Sequence, residues 1–70
     1  MNEVKFINYV AIYRKNRGLS QDMLASECNI SRNTVSAIET GSWSPSARLA
    51  YKLCKALNCK FEDLFEEVNV

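Results

Sequence analysis

Between Ser20 and Gly41 the chain carries two helix-forming segments with almost nothing between them. Ser20 is placed to cap the first, Gln21 to Cys28, with Asp22 in its opening turn. A serine oxygen there accepts a bond from a free backbone amide, and an early carboxylate suits the positive end of the helix dipole. Ser31 repeats the device for a second segment that runs to Thr40. Gly41 ends it by taking the left-handed conformation. The joint between them is Asn29, which tolerates positive φ, and Ile30, which turns back towards the core. Helices joined by about three residues must cross steeply, and Ala25 is small where such a crossing brings backbones together. The pattern is a helix-turn-helix.

The second of these helices has two unlike sides. At helical spacing Val35 and Ile38 face one way, while Arg32, Asn33, Ser36 and Ala37 face the other. A helix fits the DNA major groove, and residues at its amino end reach base edges. Arg32 can offer two donors to guanine, and Asn33 can make the paired contact to adenine. Ser36 can bond either kind of edge, and Ala37 can pack on a thymine methyl. Thr40, Ser42 and Ser44 follow in a loop from which amides and hydroxyls can reach phosphates. Taken alone, these residues leave alternatives open. The helix can simply cover a core, Arg32 can serve a phosphate, and Ala37 can be plain packing. Trp43 can lie on the sugar-phosphate backbone or fold back on its own loop.

The flanking sequence predicts further helices. Phe6, Ile7, Val10 and Tyr13 give an apolar stripe over residues 2–17, and Gly18 stops that helix just after Arg14, Lys15 and Arg17. Tyr9 and Ile12 fall outside the stripe, as surface apolars or as part of a contact with a second copy. Leu19 and Met23 are spaced to staple the entry into the next helix. Ser44-Pro45 predicts the start of a fourth helix, with Leu49, Leu53, Cys54, Ala56 and Leu57 buried and Asn58 at its end. Phe61, Leu64 and Phe65 then make one closing turn, for which Lys60 is a poor cap; Val68 and Val70 define nothing. No five-residue stretch alternates with period two, so no sheet is expected. The expected architecture is all-α, a compact bundle of about five short helices, forming a single domain over residues 1–70 with its motif at about 20–41.

Composition narrows the function. With 70 residues and 47% of them apolar, the chain supports one small core. No apolar run approaches the roughly 20 residues that span a bilayer, and the first residues do not read as a secretory leader. A soluble, cytoplasmic protein is expected. Cys28, Cys54 and Cys59 are odd in number and form no CxxC pair; with no histidine in the chain they supply neither a four-ligand zinc site nor a catalytic base. No enzyme, metal or cofactor is expected, and the cysteines fit reduced core positions. Net charge is only +1, but residues 61–70 hold four acids and no base, an acidic tail that leaves the other sixty residues at +5. A mildly basic body is compatible with nucleic acid.

Residues 14–65 resemble the helix-turn-helix domain of Xre/Cro-type repressors, the group that contains the lambda-like phage repressors. The match runs through Arg14, Arg17-Gly18-Leu19-Ser20-Gln21, Leu24-Ala25, Ile30 to Ser36 and Ile38-Glu39-Thr40-Gly41. It continues through Pro45-Ser46, Leu49, Ala56-Leu57 and Glu62-Asp63-Leu64-Phe65. Asn29 replaces a usual glycine, Trp43 stands in a normally polar loop, and Lys60 replaces a small cap. The resemblance implies double-stranded DNA as partner, with Arg32, Asn33, Ser36 and Ala37 at the base-reading positions and Gln21 gripping a phosphate. It also implies that Arg14 and Glu39 meet between the first and third helices as a structural pair. The function expected is that of a sequence-specific regulator, a repressor acting as a homodimer on a palindromic operator whose half-sites lie about one helical turn apart. No ligand-sensing domain is expected. The competing expectation is an antitoxin-like or adaptor module gripping a protein through Tyr9, Ile12, Trp43 and Phe65.

Overall fold

Four of the five helices end in the same way, and those endings set the path of the chain. The structure, a computed structural model, describes residues 4–69. Its order is β1 (Val4–Asn8), α1 (Val10–Asn16), α2 (Gln21–Cys28), α3 (Arg32–Glu39), α4 (Ala47–Leu57), α5 (Phe61–Leu64) and β2 (Phe65–Asn69). Gly18, Asn29, Gly41 and Asn58 all have positive φ, between 53° and 80°. In each case the next residue's N–H reaches back five positions: Leu19 to Arg14, Ile30 to Ala25, Ser42 to Ala37 and Cys59 to Cys54, at 3.0–3.1 Å. This is the Schellman stop, which satisfies the last free carbonyls and turns the chain sharply. Asn29 stands in for glycine without loss of the left-handed turn.

The core is a single apolar cluster built from every helix. Val10, Leu24, Cys28, Val35, Ile38, Leu53, Leu57 and Leu64 are almost fully buried, and Ala25 of α2 is buried with them. All three cysteines are free thiols, Cys28 in the core and Cys54 and Cys59 half-buried beside it. Burial pushes each thiol above its ordinary pKa.

The five-helix expectation stands, but three of its details do not. The first helix is half the predicted length, because Val4–Asn8 is a strand paired antiparallel with Phe65–Asn69, Phe6 opposite Glu67 and Asn8 opposite Phe65. Asn8 makes the break: its Oδ1 accepts from the Val10 amide at 3.1 Å, starting α1 two residues later. Residues 2 and 3 of the predicted helix, and Val70, lie outside the described residues. The acidic tail is therefore no loose end; Phe65 to Asn69 form the sheet that the absence of alternation argued against. Phe65 is buried and stacks on Phe6, ring centres 5.5 Å apart, with Phe61 tilted against it at 4.9 Å.

The other two details concern helix starts. Ser46, not Ser44, caps α4, its hydroxyl accepting from the Leu49 amide at 3.2 Å. Pro45 precedes the cap and disfavours a helical conformation at Ser44; it lines a small cleft with Phe6, Trp43 and Phe65. Met23 is exposed and does not staple onto Leu19. Its sulfur instead faces the Ser20 amide at 3.5 Å, while its own amide donates to Ser20 Oγ at 3.1 Å. At the last helix the Asp63 carboxylate accepts from the Lys60 amide, so the cap comes from within the turn.

Phe65→Ala should cost about 3–5 kcal/mol, the range for emptying a large aromatic site. For a chain of this size that is most of the available stability. Thermal melting followed by circular dichroism measures it; a loss under about 1 kcal/mol would mean that the sheet and its stacked phenylalanines are peripheral to the fold.

Candidate nucleic-acid interface

The position of α3 is set by its own two faces. Val35 and Ile38 are each 1% exposed and sit in the core, so α3 cannot roll without emptying it. Ser31 Oγ accepts from the Thr34 amide at 3.1 Å and fixes the amino end. On the opposite side Arg32 and Asn33 are exposed, with Ser36 and Ala37 half-buried beside them. These four residues form one outward ridge of small and polar side chains at the start of a rigid helix.

Four side chains set the angle of that ridge. Arg14 is 8% exposed; its Nε donates to Glu39 Oε2 at 2.6 Å and its Nη2 to Glu39 Oε1 at 3.2 Å. Nη1 donates to the Leu19 carbonyl at 2.9 Å. Gln21 Nε2 adds a third bond to the Glu39 carboxylate at 3.0 Å. Thus the last residue of α3 is held by Arg14 of α1, itself anchored to the turn that follows, and by the first residue of α2. Burial acts to raise the Glu39 pKa, but the bonds from Arg14 and Gln21 prevail and hold it below the ordinary value of 4.5. The fourth side chain was not foreseen. Asn8 Nδ2 donates to the Ile38 carbonyl at 2.8 Å, tying the end of β1 to the end of α3. An asparagine two residues before a helix start was the available sign, but its bond across 30 residues was not.

Beyond α3 the loop folds back on one atom. The Ala37 carbonyl receives the amides of Ser42 and Trp43 and the hydroxyls of Thr40 and Ser42, at 3.0–3.3 Å. Thr40 and Ser42 are exposed but use their hydroxyls to close the helix, whereas the Ser44 hydroxyl makes no bond among the described residues. Gln21 is half-buried, with one amide hydrogen engaged by Glu39 and the other uncommitted. Among the described residues no helix is long and apolar enough to cross a membrane, and no group of three or more ligating side chains could hold a metal.

A family model for the helix-turn-helix, of the kind found in Xre-type regulators, matches residues 10–64. The chain belongs to the Xre-type helix-turn-helix family. An uncharacterized HTH-type transcriptional regulator of Bacillus subtilis, YgzD, is 45% identical over 64 residues, covering 89% of this chain and 97% of the relative. One from Methanocaldococcus jannaschii, also uncharacterized, is 41% identical over 58 residues, covering 83% and 88%. A solved Bacteroides fragilis protein shares the fold, with a TM-score of 0.82 over 89% of this chain and all of that one at 21% identity. The protein is therefore an Xre-type regulator, of a family that binds DNA.

In this regulator the surface left for a protein partner is smaller than the sequence suggested. Phe65 is buried, and the Tyr9 hydroxyl is hydrogen-bonded to Glu66 across the junction of β1 and β2. Ile12 and Trp43 stay exposed.

Glu39→Ala strands Arg14 in the core and should cost about 3–5 kcal/mol, as when one partner of a buried pair is removed. The melting temperature should fall by more than about 10 °C. An unchanged melt would exclude the network as the holder of α3. Because the Glu39 pKa is lowered by folding, its contribution is complete above pH 4.5 and is lost as pH falls through the folded value. The melting gap between wild type and Glu39→Gln should accordingly narrow below pH 4.5; a gap independent of pH would contradict this assignment.

Proposed function

We propose that this Xre-type regulator is a repressor whose α3 enters the major groove of a palindromic operator, with two copies related by a two-fold axis and half-sites about one helical turn apart. It works in the cytoplasm, on bacterial or phage DNA at the nucleoid, with residues 1–70 acting as one DNA-binding domain. The observation that carries the reading is the placement of Arg32 and Asn33: exposed, adjacent and at the amino end of a helix whose other side is locked in the core. Arg32 reads guanine through its forked donors, Asn33 reads adenine, Ser36 bonds a neighbouring edge, and Ala37 packs on a thymine methyl.

Phosphates are gripped by Gln21 through its free amide hydrogen and by Ser44 through its free hydroxyl, with Thr40 and Ser42 turning their hydroxyls from the Ala37 carbonyl to an approaching phosphate. These contacts set register and supply affinity common to all sequences. Arg14 and Glu39 touch no DNA; they hold the ridge at its angle.

Selection from a random duplex pool should return an inverted repeat, and a consensus without two-fold symmetry would count against the dimer. On the selected site Arg32→Ala should cost about 1–3 kcal/mol and relax preference at one base pair per half-site. A uniform loss over all sequences would instead make Arg32 a phosphate contact. Gln21→Ala should weaken every duplex alike; an effect confined to particular base pairs would overturn its phosphate role.

A further inference from the structure

The stop that ends α4 brings two thiols together. At each of the four Schellman stops, residues five apart meet: Arg14 with Leu19, Ala25 with Ile30, Ala37 with Ser42, and Cys54 with Cys59. Side chains at those two positions commonly touch across such a stop. At the first three the partners are chemically unlike; at the fourth both are cysteines. The Cys59 amide donates to the Cys54 carbonyl at 3.1 Å. That bond keeps the two Cα atoms within about 7 Å of each other, the limit beyond which a disulfide cannot close. Both side chains are half-buried and line one open cleft with Lys55, Asn58, Lys60 and Asp63. The Asp63 carboxylate accepts from the Lys60 amide, and among the described residues no group of three ligating side chains includes the thiols. Cys28, by contrast, is 1% exposed and sits in the core.

We propose that Cys54 and Cys59 form a reversible dithiol–disulfide site, oxidised by low-molecular-weight disulfides and closing as a lock on the corner between α4 and α5. The exchange balances in two steps. One protein thiolate attacks the small disulfide, forming a mixed disulfide and releasing a small thiolate. The other protein thiolate then attacks its neighbour's sulfur, and the second small thiolate leaves. The two cysteines have lost two electrons and two protons, and the small disulfide has become two thiols. Burial pushes both cysteines above their ordinary pKa, while their mutual interaction acts to lower Cys54 and to raise Cys59. Thiolate is thus scarce at neutral pH, and the site follows the redox balance slowly instead of trapping oxidants fast. In a reducing compartment such a bond is transient and sensing, not structural. What it fastens is the entry to α5, a single turn that leads into β2 and the buried Phe65. Closing the link restricts the unfolded chain and so favours the folded one. No residue of α3 lines the cleft, so the device acts through stability and leaves the outward ridge as it is. In a marginally stable domain that shift changes how much protein is folded.

The test uses the full chain, first reduced, then equilibrated with excess oxidised glutathione at mildly alkaline pH. Free thiols are blocked with N-ethylmaleimide, and trypsin, which cuts after Lys55, separates the two cysteines. The expected product is a cross-linked pair of peptides carrying Cys54 and Cys59, with Cys28 alone alkylated and full reversal by dithiothreitol. Glutathione left on either cysteine, or bonds between chains, with no internal pair would overturn the site. The oxidised chain should melt about 5–10 °C above the reduced one. Cys59→Ser should abolish that difference. An unchanged melt in the wild type, or a rise that survives Cys59→Ser, would overturn the lock.

Discussion

The Glu39 carboxylate is the point on which the geometry of this molecule depends. It ends α3, lies almost out of solvent, and takes three hydrogen bonds from residues on other elements, two from Arg14 and one from Gln21. Hydrophobic burial of Val35 and Ile38 seats α3 in the core, but apolar contact is non-directional and sets angles poorly. A charged, bidentate bond has a preferred plane and distance. A buried pair of this sort is weak evidence for stability in itself, since desolvation offsets much of the attraction. Its role here is to select one orientation of α3 against α1 and α2.

Around that point the chain is organised by short-range stops. Each of the four longer helices begins or ends within a turn of a residue that completes its backbone bonding, so none of them needs length to persist. Helices of seven or eight residues are far too short to hold in water alone. They survive because their ends are satisfied and one face of each is buried. The sheet closes the assembly. Phe65 enters the core from β2, Phe6 stacks on it from β1, and Asn8 then passes from that sheet to the carbonyl of Ile38. A pair of strands distant from the outward ridge of α3 thus helps to hold the far end of that helix.

On the functional reading proposed here, the small net charge of +1 shifts the work from long-range attraction to local complementarity. The outward ridge carries one arginine, one asparagine, a serine and an alanine, with an aspartate beside the arginine. Such a surface suits discrimination between sequences better than indiscriminate binding.

What the amino-acid order determined by itself is whatever is settled within about five residues. Ser20 and Ser31 cap because the amides they bond lie three positions away, and Asn29 and Gly41 turn the chain because the carbonyls they release are equally near. The helix-turn-helix and its outward residues follow from those local choices. Tertiary structure decided what depends on partners far along the chain. Phe6 and Ile7 continue the apolar spacing of α1, yet they pair with residues about sixty positions later, and that register overrides the helical pattern. Ser44 and Ser46 both suit a helix start, and the later one is used where Pro45 shares a cleft with Phe6 and Phe65. The Asn8 bond to Ile38 and the pairing of Arg32 with Asp22 belong to the same class. They arise only when folding brings separate segments together, and no spacing within either segment announces them.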